Sequence, residues 1–361
     1  MRGWALSNPN PFNPLFPAQH GLFANRRAEQ QRFIRSLGAT TAPESPGPWN
    51  VALLGPWGIG KTSLLRRFTQ LAQSHQPALG VVTLSVTSAV GGIEGFCESL
   101  LRRIHSDLSV QAGLAGRIQD EVRRWQPRLA VGPAAAVRTV VNEGFALDRL
   151  YAELGRLWTR LAHQDMAGVL IFLDDVEHLL VRDASALLAL RSVFQDLQGR
   201  GAVFALIITG PETLLEVGRD VSEPITRFFD RLPLGAFSLA DTAEAIREPL
   251  RVNGAPLGVS DDAVAAVWSK THGRPYFVAF TMRELTDRAY EGNVRQLDDR
   301  WITAHWPAVA QRLSADRFAS EWQACTAAER RVLRRLAEGG ALEARTARAW
   351  RWRRGWCRRV S

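Results

Sequence analysis

Gly55-Pro56-Trp57-Gly58-Ile59-Gly60-Lys61-Thr62 lies between an apolar run, Val51-Ala52-Leu53-Leu54, and an amphipathic one, Ser63-Leu64-Leu65-Arg66-Arg67-Phe68. This is the strand, G-x-x-x-x-G-K-[ST], helix arrangement of a phosphate-binding loop. The glycines permit a tight turn that aims several backbone N–H groups into one concavity. The positive end of the following helix reinforces that anion site. Lys61 is expected to reach the β- and γ-phosphates of a nucleotide, and the Thr62 hydroxyl to bind Mg²⁺. The whole stretch from Gly55 to Ser63 is the expected nucleotide-contacting segment. Composition strengthens the reading, because Lys61 and Lys270 are the only lysines in a chain that otherwise uses arginine. At such frequencies the pattern arises by chance in about one sequence in a thousand. An ammonium is a compact point charge and a guanidinium a planar fork, so a cradle built for one does not readily take the other.

Nucleotide hydrolysis needs a carboxylate at the end of a neighbouring strand, and Leu170-Ile171-Phe172-Leu173-Asp174-Asp175 supplies it. The apolar residues bury the strand and deliver Asp174 to the Mg²⁺ side of the loop, where it binds the ion through its water shell. Asp175 is placed to polarise the attacking water, with Glu177 the alternative for that role. The run Val203-Phe204-Ala205-Leu206-Ile207-Ile208 ends in Thr209-Gly210-Pro211-Glu212. Thr209 either sits beside the terminal phosphate and orients water, or simply ends a strand. His163, His178 and His272 have no metal-like spacing.

The remaining sequence organises itself around these two strands. At 361 residues the chain has room for one large α/β domain and one or two small ones. Strand-like runs at 51–54, 81–86, 169–173 and 203–209, with a weaker one at 232–237, alternate with helical runs at 63–72, 93–108, 147–162 and 185–198. That alternation is the signature of a mostly parallel sheet. Residues 111–144, broken by Gly113, Gly116, Pro127, Gly132 and Pro133, read as an insertion of helices and loops. Residues 23–29 open a lead-in helix with Phe33, Ile34 and Leu37 on one face. Before it, a Pro/Asn-rich arm has Phe12, Leu15 and Phe16 as anchors. After about residue 238 the strands stop, and helices are expected at 238–252, 260–271 and 276–290, with Asp241 and Ser260 as caps. Thr326 and Glu329 form a capping box for a further helix that ends at Gly339-Gly340.

Bulk properties narrow the setting. No apolar run approaches the ~18 residues of a membrane span, so no membrane partner is expected. The N-terminus lacks the apolar core of a signal peptide. Cys97, Cys325 and Cys357 are far apart with no C-x-x-C, which suggests neither zinc nor disulfides and points to the cytoplasm. The net charge of +9, much of it after Arg330, suits nucleic acid or an acidic surface as well as a solvated arginine-rich exterior.

Together, the loop, the apolar-Asp-Asp strand, the polar-ended next strand and the trailing helices resemble an AAA+ ATPase. The similarity is greatest to the origin-recognition-type and related STAND signalling groups, over about residues 10–307. The resemblance implies a P-loop NTPase of class α/β, its parallel sheet sandwiched by helices. An all-α lid and a short C-terminal helical segment follow. The implied domains are an arm and lead-in helix at 1–48, the nucleotide-binding domain at 49–237, the lid at 238–310 and a winged-helix-like segment at 311–361. ATP and Mg²⁺ are the implied cofactors. Possible partners are a second copy of the chain, DNA and a protein not identified by sequence. In that group a Gly-Arg-Glu follows the leading phenylalanine; Asn25 stands here for the glycine. The sensor-1 position corresponds to Thr209. The arginine finger, supplied by a neighbouring subunit, corresponds to Arg227 of Thr226-Arg227-Phe228, with Arg231 as the nearby alternative. Arg274, in Thr271-His272-Gly273-Arg274-Pro275-Tyr276-Phe277, corresponds to the sensor-2 cation that closes on the γ-phosphate. Trp57 inside the loop also occurs in KAP-type ATPases, which usually carry membrane segments.

Origin-recognition-type ATPases commonly end in a DNA-binding winged helix, whose first helix 324–340 resembles. A recognition helix and wing need roughly 30 residues more than remain. The tail instead interleaves arginine and tryptophan, from Arg345 to Arg359. Three readings stand side by side: a truncated or frameshifted end, a nucleic-acid-binding tail using phosphate contacts and stacking, and simple disorder.

Overall fold

The computed structural model describes residues 10–18, 23–41, 48–87, 92–127, 143–164, 166–216 and 223–337. The arginine/tryptophan tail, Gly339-Gly340 and residues 128–142 of the expected insertion lie outside the described residues. By its internal contacts the chain forms two units: an α/β unit of Arg26–Gly55 and Lys61–Leu234, and a helical unit of Met1–Asn25, Pro56–Gly60 and Gly235–Ser361. The tip of the phosphate loop therefore groups with the helical unit.

The α/β unit holds β1 (Val51–Leu54), β2 (Gly80–Ser85), β3 (Val169–Asp174), β4 (Phe204–Gly210) and β5 (Asp230–Pro233), all parallel, in the order β2-β3-β4-β1-β5. Its helices are α1 (Arg27–Thr41), α2 (Lys61–Gln73), α3 (Gly92–Val110), α4 (Gly116–Arg124), α5 (Glu143–Ala162), α6 (Glu177–Leu180), α7 (Ala186–Gly199) and α8 (Glu223–Phe228). Every residue of β1, β3 and β4 is buried, as expected of parallel strands covered on both faces. Strand parity sorts those faces. Val169, Ile171 and Leu173 of β3 and Phe204, Leu206 and Ile208 of β4 join the core formed with α3, α5 and α7. The alternate residues face the other way, where Phe172 meets Phe33 of α1, itself stacked on Phe68 of α2 at 4.1 Å. The same parity carries Asp174 and Thr209 to the α2 side.

β2 is an edge strand, and α3 together with Gln111, the residue that follows it, closes that edge with a row of side chains. Gln111 accepts from the Val81 N–H at 2.7 Å and donates to the Leu79 carbonyl at 2.7 Å. Asp107 accepts from the Thr83 N–H at 3.0 Å, and Arg103 donates to the Thr83 carbonyl at 2.8 Å. Residues four apart on a helix rise about 6 Å, close to the ~6.6 Å of two strand residues, so one helix face can stand in for a missing strand. This satisfies backbone groups that would otherwise template pairing with another chain.

In the helical unit, α9 (Leu239–Val252), α10 (Asp261–Thr271), α11 (Pro275–Glu291) and α12 (Asp299–Leu313) pack around Ile246, Val267, Met282, Leu285 and Ile302. Phe12 joins this core. A π-helical turn at Ser314–Phe318 leads to α13 (Ala319–Ala324) and α14 (Ala327–Ala337). The expected caps at Ser260 and Thr326–Glu329 are present.

Several expectations need correction. Strands do continue past 238: β6 (Gly258–Val259) pairs in parallel with β7 (Gln296–Leu297). Each pair is too short for a periodic signal, and each leads directly into a capped helix start. The cap of α9 is Ser238, and Asp241 is the third residue of its capping box, accepting from the Ser238 N–H at 2.9 Å. β5 lies at 230–233 rather than 232–237, because it pairs with the four residues of β1 and ends at Pro233, which has no N–H to pair. Leu15 and Phe16 are exposed, as is Ile34, which lies about 100° around α1 from buried Phe33. α1 begins at Arg27, since Asn25 and Arg26 have left-handed φ of 60° and 57°. Asparagine tolerates that conformation better than most residues, so it can replace a glycine there.

The edge closure is testable by urea unfolding. Gln111→Ala should cost at least about 2 kcal/mol, since it strands two buried backbone groups. Gln111→Met keeps the bulk without the hydrogen bonds and should lose nearly as much; wild-type stability in Gln111→Met would refute the hydrogen-bond account.

Candidate active site

β1 delivers the phosphate loop and β3 the carboxylates, while β4 runs between them and carries Thr209. Leu53 pairs with Thr209 and Leu173 with Ile208, so one step further brings Asp174 level with Thr209. Fully buried Thr209 donates its hydroxyl proton to Asp174 Oδ1 at 2.6 Å and accepts the Asp175 N–H at 2.9 Å. Its single proton is thus committed to orienting a carboxylate. Asp175 sits at φ 58°, in the left-handed region. Such a conformation costs about 1 kcal/mol and persists only where neighbours enforce it. Here the Val176 N–H bonds to the Thr209 carbonyl at 3.1 Å, and the Val86 N–H to the Asp174 carbonyl at 2.8 Å.

Lys61 opens α2, and its Nζ donates to the Gly55 carbonyl at 2.8 Å. Burial lowers the Lys61 pKa below the lysine range, while Glu177, Asp175 and Asp174 pull it back up. Burial raises Asp175, and the like charge of Asp174 adds to the effect. Glu177 is also raised, first by burial and then by Asp175, and its Oε2 is buried with no hydrogen-bond partner. Three carboxyl groups therefore share this edge with one ammonium, an arrangement short of positive charge. Thr62 and Ser63 follow, both half-buried on the first turn of α2. Among the described residues no cluster of three or more His, Cys, Asp or Glu forms a metal cage. Mg²⁺ does not need one, because it is commonly held by one or two protein groups plus phosphates and water. The hard oxygens of Thr62 and Asp174 and the excess of carboxylate fit that ion.

The loop tip has its own constraints. Gly58 and Gly60 have φ of 76° and 96°, open to glycine at little cost. Ile59 is buried between them, and Pro56 accepts its N–H at 3.4 Å. Within the helical unit the Tyr276 N–H donates to the Gly58 carbonyl at 3.0 Å. A Cβ on Gly58 would lie 2.9 Å from Tyr276 Cβ and 3.8 Å from Arg274 Cδ. Arg274, the N-cap of α11, thus lies beside the tip, while Trp57 is partly exposed.

Arg227 is elsewhere. It is exposed near the end of α8, three residues before Asp230, which pairs with Val51 at the start of β1. The loop leaves the other end of β1, so strand length alone separates the two by about 13 Å. Arg227 and Arg231 line a shallow cleft of about 590 Å³ with Trp49 and Phe228. The α/β unit thus brings Lys61, Thr62, Asp174, Asp175, Glu177 and Thr209 to one edge and leaves Arg227 at the other. Sequence reasoning did not single out Tyr276 or Arg317 as loop neighbours. Tyr276 at least lies in the quoted 271–277 motif, whereas Arg317, whose guanidinium carbon lies 3.7 Å from the Trp57 ring centroid, sits in a π-helical turn that has no periodic signal.

Comparison with known proteins now becomes informative. An AAA ATPase domain model matches residues 23–207, just over half of the chain. No curated protein matches in sequence. Among solved structures, the ORC2 protein of Aeropyrum pernix, in ADPNP-ADP complexes, has a TM-score of 0.61 at 15% identity, over 95% of this chain and 82% of that one. Cdc6p from Pyrobaculum aerophilum gives 0.53 at 14%, over 79% and 67%. The ORC1 protein of Aeropyrum pernix in complex with DNA gives 0.50 at 17%, over 87% and 72%. Identities this low establish the fold and nothing finer. The five-stranded parallel sheet, its loop and the family match lead to one conclusion: the chain belongs to the AAA ATPase domain family and has the P-loop AAA+ fold.

Proposed function

We propose that the chain binds ATP with Mg²⁺ at the loop edge and hydrolyses it, using turnover to drive conformational change or assembly. The observation that carries this reading is the Thr209–Asp174–Asp175 hydrogen-bonded unit on the same sheet edge as Lys61. Lys61 meets the β- and γ-phosphates, Thr62 and Asp174 hold the metal side, and Thr209 fixes the Asp174 carboxylate. Mg²⁺, when bound there, would supply neutralisation of phosphate charge. Asp175 accepts a proton from the attacking water, helped by a pKa raised toward neutrality; Glu177 is the alternative base. Arg274, which lies beside Gly58 of the loop tip, is assigned a phosphate contact.

Arg227 favours a second, slower regime. At the far end of β1 it serves the loop of another copy rather than its own, so an isolated chain turns ATP over slowly, as a nucleotide switch does. A finger supplied in this way is worth roughly 10³–10⁵ in rate. DNA is a reasonable effector, since the ORC1 protein is seen with DNA and α14 carries Arg330, Arg331, Arg334 and Arg335. No helix among the described residues is long and apolar enough to cross a membrane.

ATP turnover with Mg²⁺, measured with and without DNA and alongside sizing, tests the proposal. Lys61→Ala and Asp174→Asn should each lose at least about 100-fold in turnover; unchanged rates in both would sink it. Arg227→Ala should leave nucleotide affinity intact and remove only the concentration-dependent part of the rate. Thr209→Val should slow turnover strongly while Thr209→Ser, which keeps the hydroxyl, stays near wild type.

A stability test needs no nucleotide. An acid whose pKa is raised by folding favours the folded state below its ordinary value, and that advantage is lost as pH climbs through the raised one. Asp175→Asn removes this loss, so the melting temperature of the variant minus wild type should grow from pH 4 to pH 7. A difference that stays constant with pH would mean that Asp175 is not a strained acid.

A further inference from the structure

We propose that Asp230 is a positioning residue for Arg227, held in place by Trp49 and by Arg32 of the lead-in helix α1. The inference rests on the reading above in which Arg227 serves the loop of another copy. It adds a brace that sets where the guanidinium is presented.

The brace is built from groups of the α/β unit alone. Asp230 opens β5, three residues after Arg227. Its backbone N–H bonds to the Asn50 carbonyl at 2.9 Å, which fixes the first residue of β5 against the start of β1. Its side chain is held separately. Oδ2 accepts from the Trp49 indole N–H at 2.9 Å and pairs with the Arg32 guanidinium. That guanidinium also lies over the Trp49 ring, 6.0 Å from its centroid. One carboxylate oxygen thus ties α1, the lead into β1 and the start of β5 together. Asn50 is itself buried, and its Oδ1 accepts the Leu206 N–H of β4 at 2.9 Å, so the anchor belongs to the sheet.

Packing pins the chain on either side of Arg227. Ile225 and Phe229 are both buried, and the Phe229 N–H bonds to the Ile225 carbonyl at 3.1 Å. Arg227 projects between them from the last turn of α8, a helix too short to be rigid by itself. Asp230, next after Phe229, completes the later pin. Its holder α1 also reaches toward the nucleotide end. Phe33 follows Arg32, about 100° further around the helix. Its ring lies 6.2 Å from that of Trp49, stacks on Phe68 of α2 at 4.1 Å and meets Phe172 of β3 edge-on at 6.3 Å. α2 opens with Lys61 and β3 ends at Asp174. The helix that holds Asp230 therefore rests on the two elements that carry the loop lysine and the metal-side carboxylate. An ion pair as exposed as Arg32–Asp230 adds little stability. Its geometric effect is larger, since misplacing a catalytic charge by about 1 Å can cost about 100-fold in rate.

ATP turnover of the full chain as a function of protein concentration, with calorimetric Mg²⁺–ATP affinity alongside, tests this. Asp230→Asn and Arg32→Ala should each lower the plateau rate at high concentration about tenfold or more. The half-plateau concentration, the ATP affinity and the low-concentration rate should stay within about twofold of wild type. Arg32→Lys, which keeps a charge for Asp230, should recover part of the plateau. In an Arg227→Ala chain, Asp230→Asn should change nothing further, because both act through one guanidinium. A wild-type plateau in Asp230→Asn, or a loss that adds to that of Arg227→Ala, would overturn the inference. So would a moved half-plateau concentration with the plateau intact, which would make Asp230 an assembly contact instead. Should Asp230→Asn not fold, an unchanged plateau in both Arg32→Ala and Trp49→Phe overturns it equally. Wild type whose rate ignores concentration would sink the neighbouring-copy reading and the brace with it. Wild type that shows the dependence but is indifferent to Asp230 removes the brace alone.

Discussion

The hydrogen bond from Thr209 to Asp174 is the contact that makes the loop edge a site rather than three adjacent strand ends. It exists because β4 lies between β1 and β3, an order that sequence neighbours alone do not produce. Parallel pairing sets Thr209 level with Asp174, and strand parity turns both toward the α2 face. A buried hydroxyl with one proton can orient one carboxylate, and here it does so at 2.6 Å while holding the next backbone N–H. The left-handed conformation of Asp175 follows from the same bracing.

Charge accounts for why this edge is unstable electrostatically yet maintained structurally. Asp175 and Glu177 are both shifted upward, chiefly by burial, and Lys61 downward for the same reason. Buried groups whose values move toward neutrality from both sides are costly to fold around unless a ligand uses them. The cost is carried by the sheet. Its strands are buried throughout, and its exposed edge is closed by Arg103, Asp107 and Gln111 instead of another strand.

Much of this was legible from the chain. Lys61 is marked by the near absence of other lysines, and Asp174 by the apolar run it ends. The alternation of strands and helices fixes a parallel sheet. Other features depend on geometry that no local pattern encodes. The cap of α9 was misplaced by three residues because Ser238 and Asp241 are both good caps, and only φ and ψ distinguish the N-cap from the third helical position. β6 and β7 are two residues each, below the length at which period-2 alternation can register. α12 was not delineated because Pro307 interrupts it, although Ile302, Val309 and Leu313 hold its buried stripe.

The parallel sheet also divides the chemistry between its two ends. Parallel strands place all their C-terminal ends on one side, which is why loop, carboxylates and threonine converge there. Anything set just before β5 falls on the opposite side, and Arg227 is so placed. No side-chain motion spans the length of a four-residue strand plus its flanking turns, so a guanidinium at that position is unsuited to its own nucleotide. The proposed function therefore gives it to the loop of a second copy, which a head-to-tail arrangement would bring to it. On that proposal an arginine needed for fast turnover would make rate a function of assembly. The slow isolated chain and the fast assembled one would then be two states of one proposed mechanism rather than rival functions.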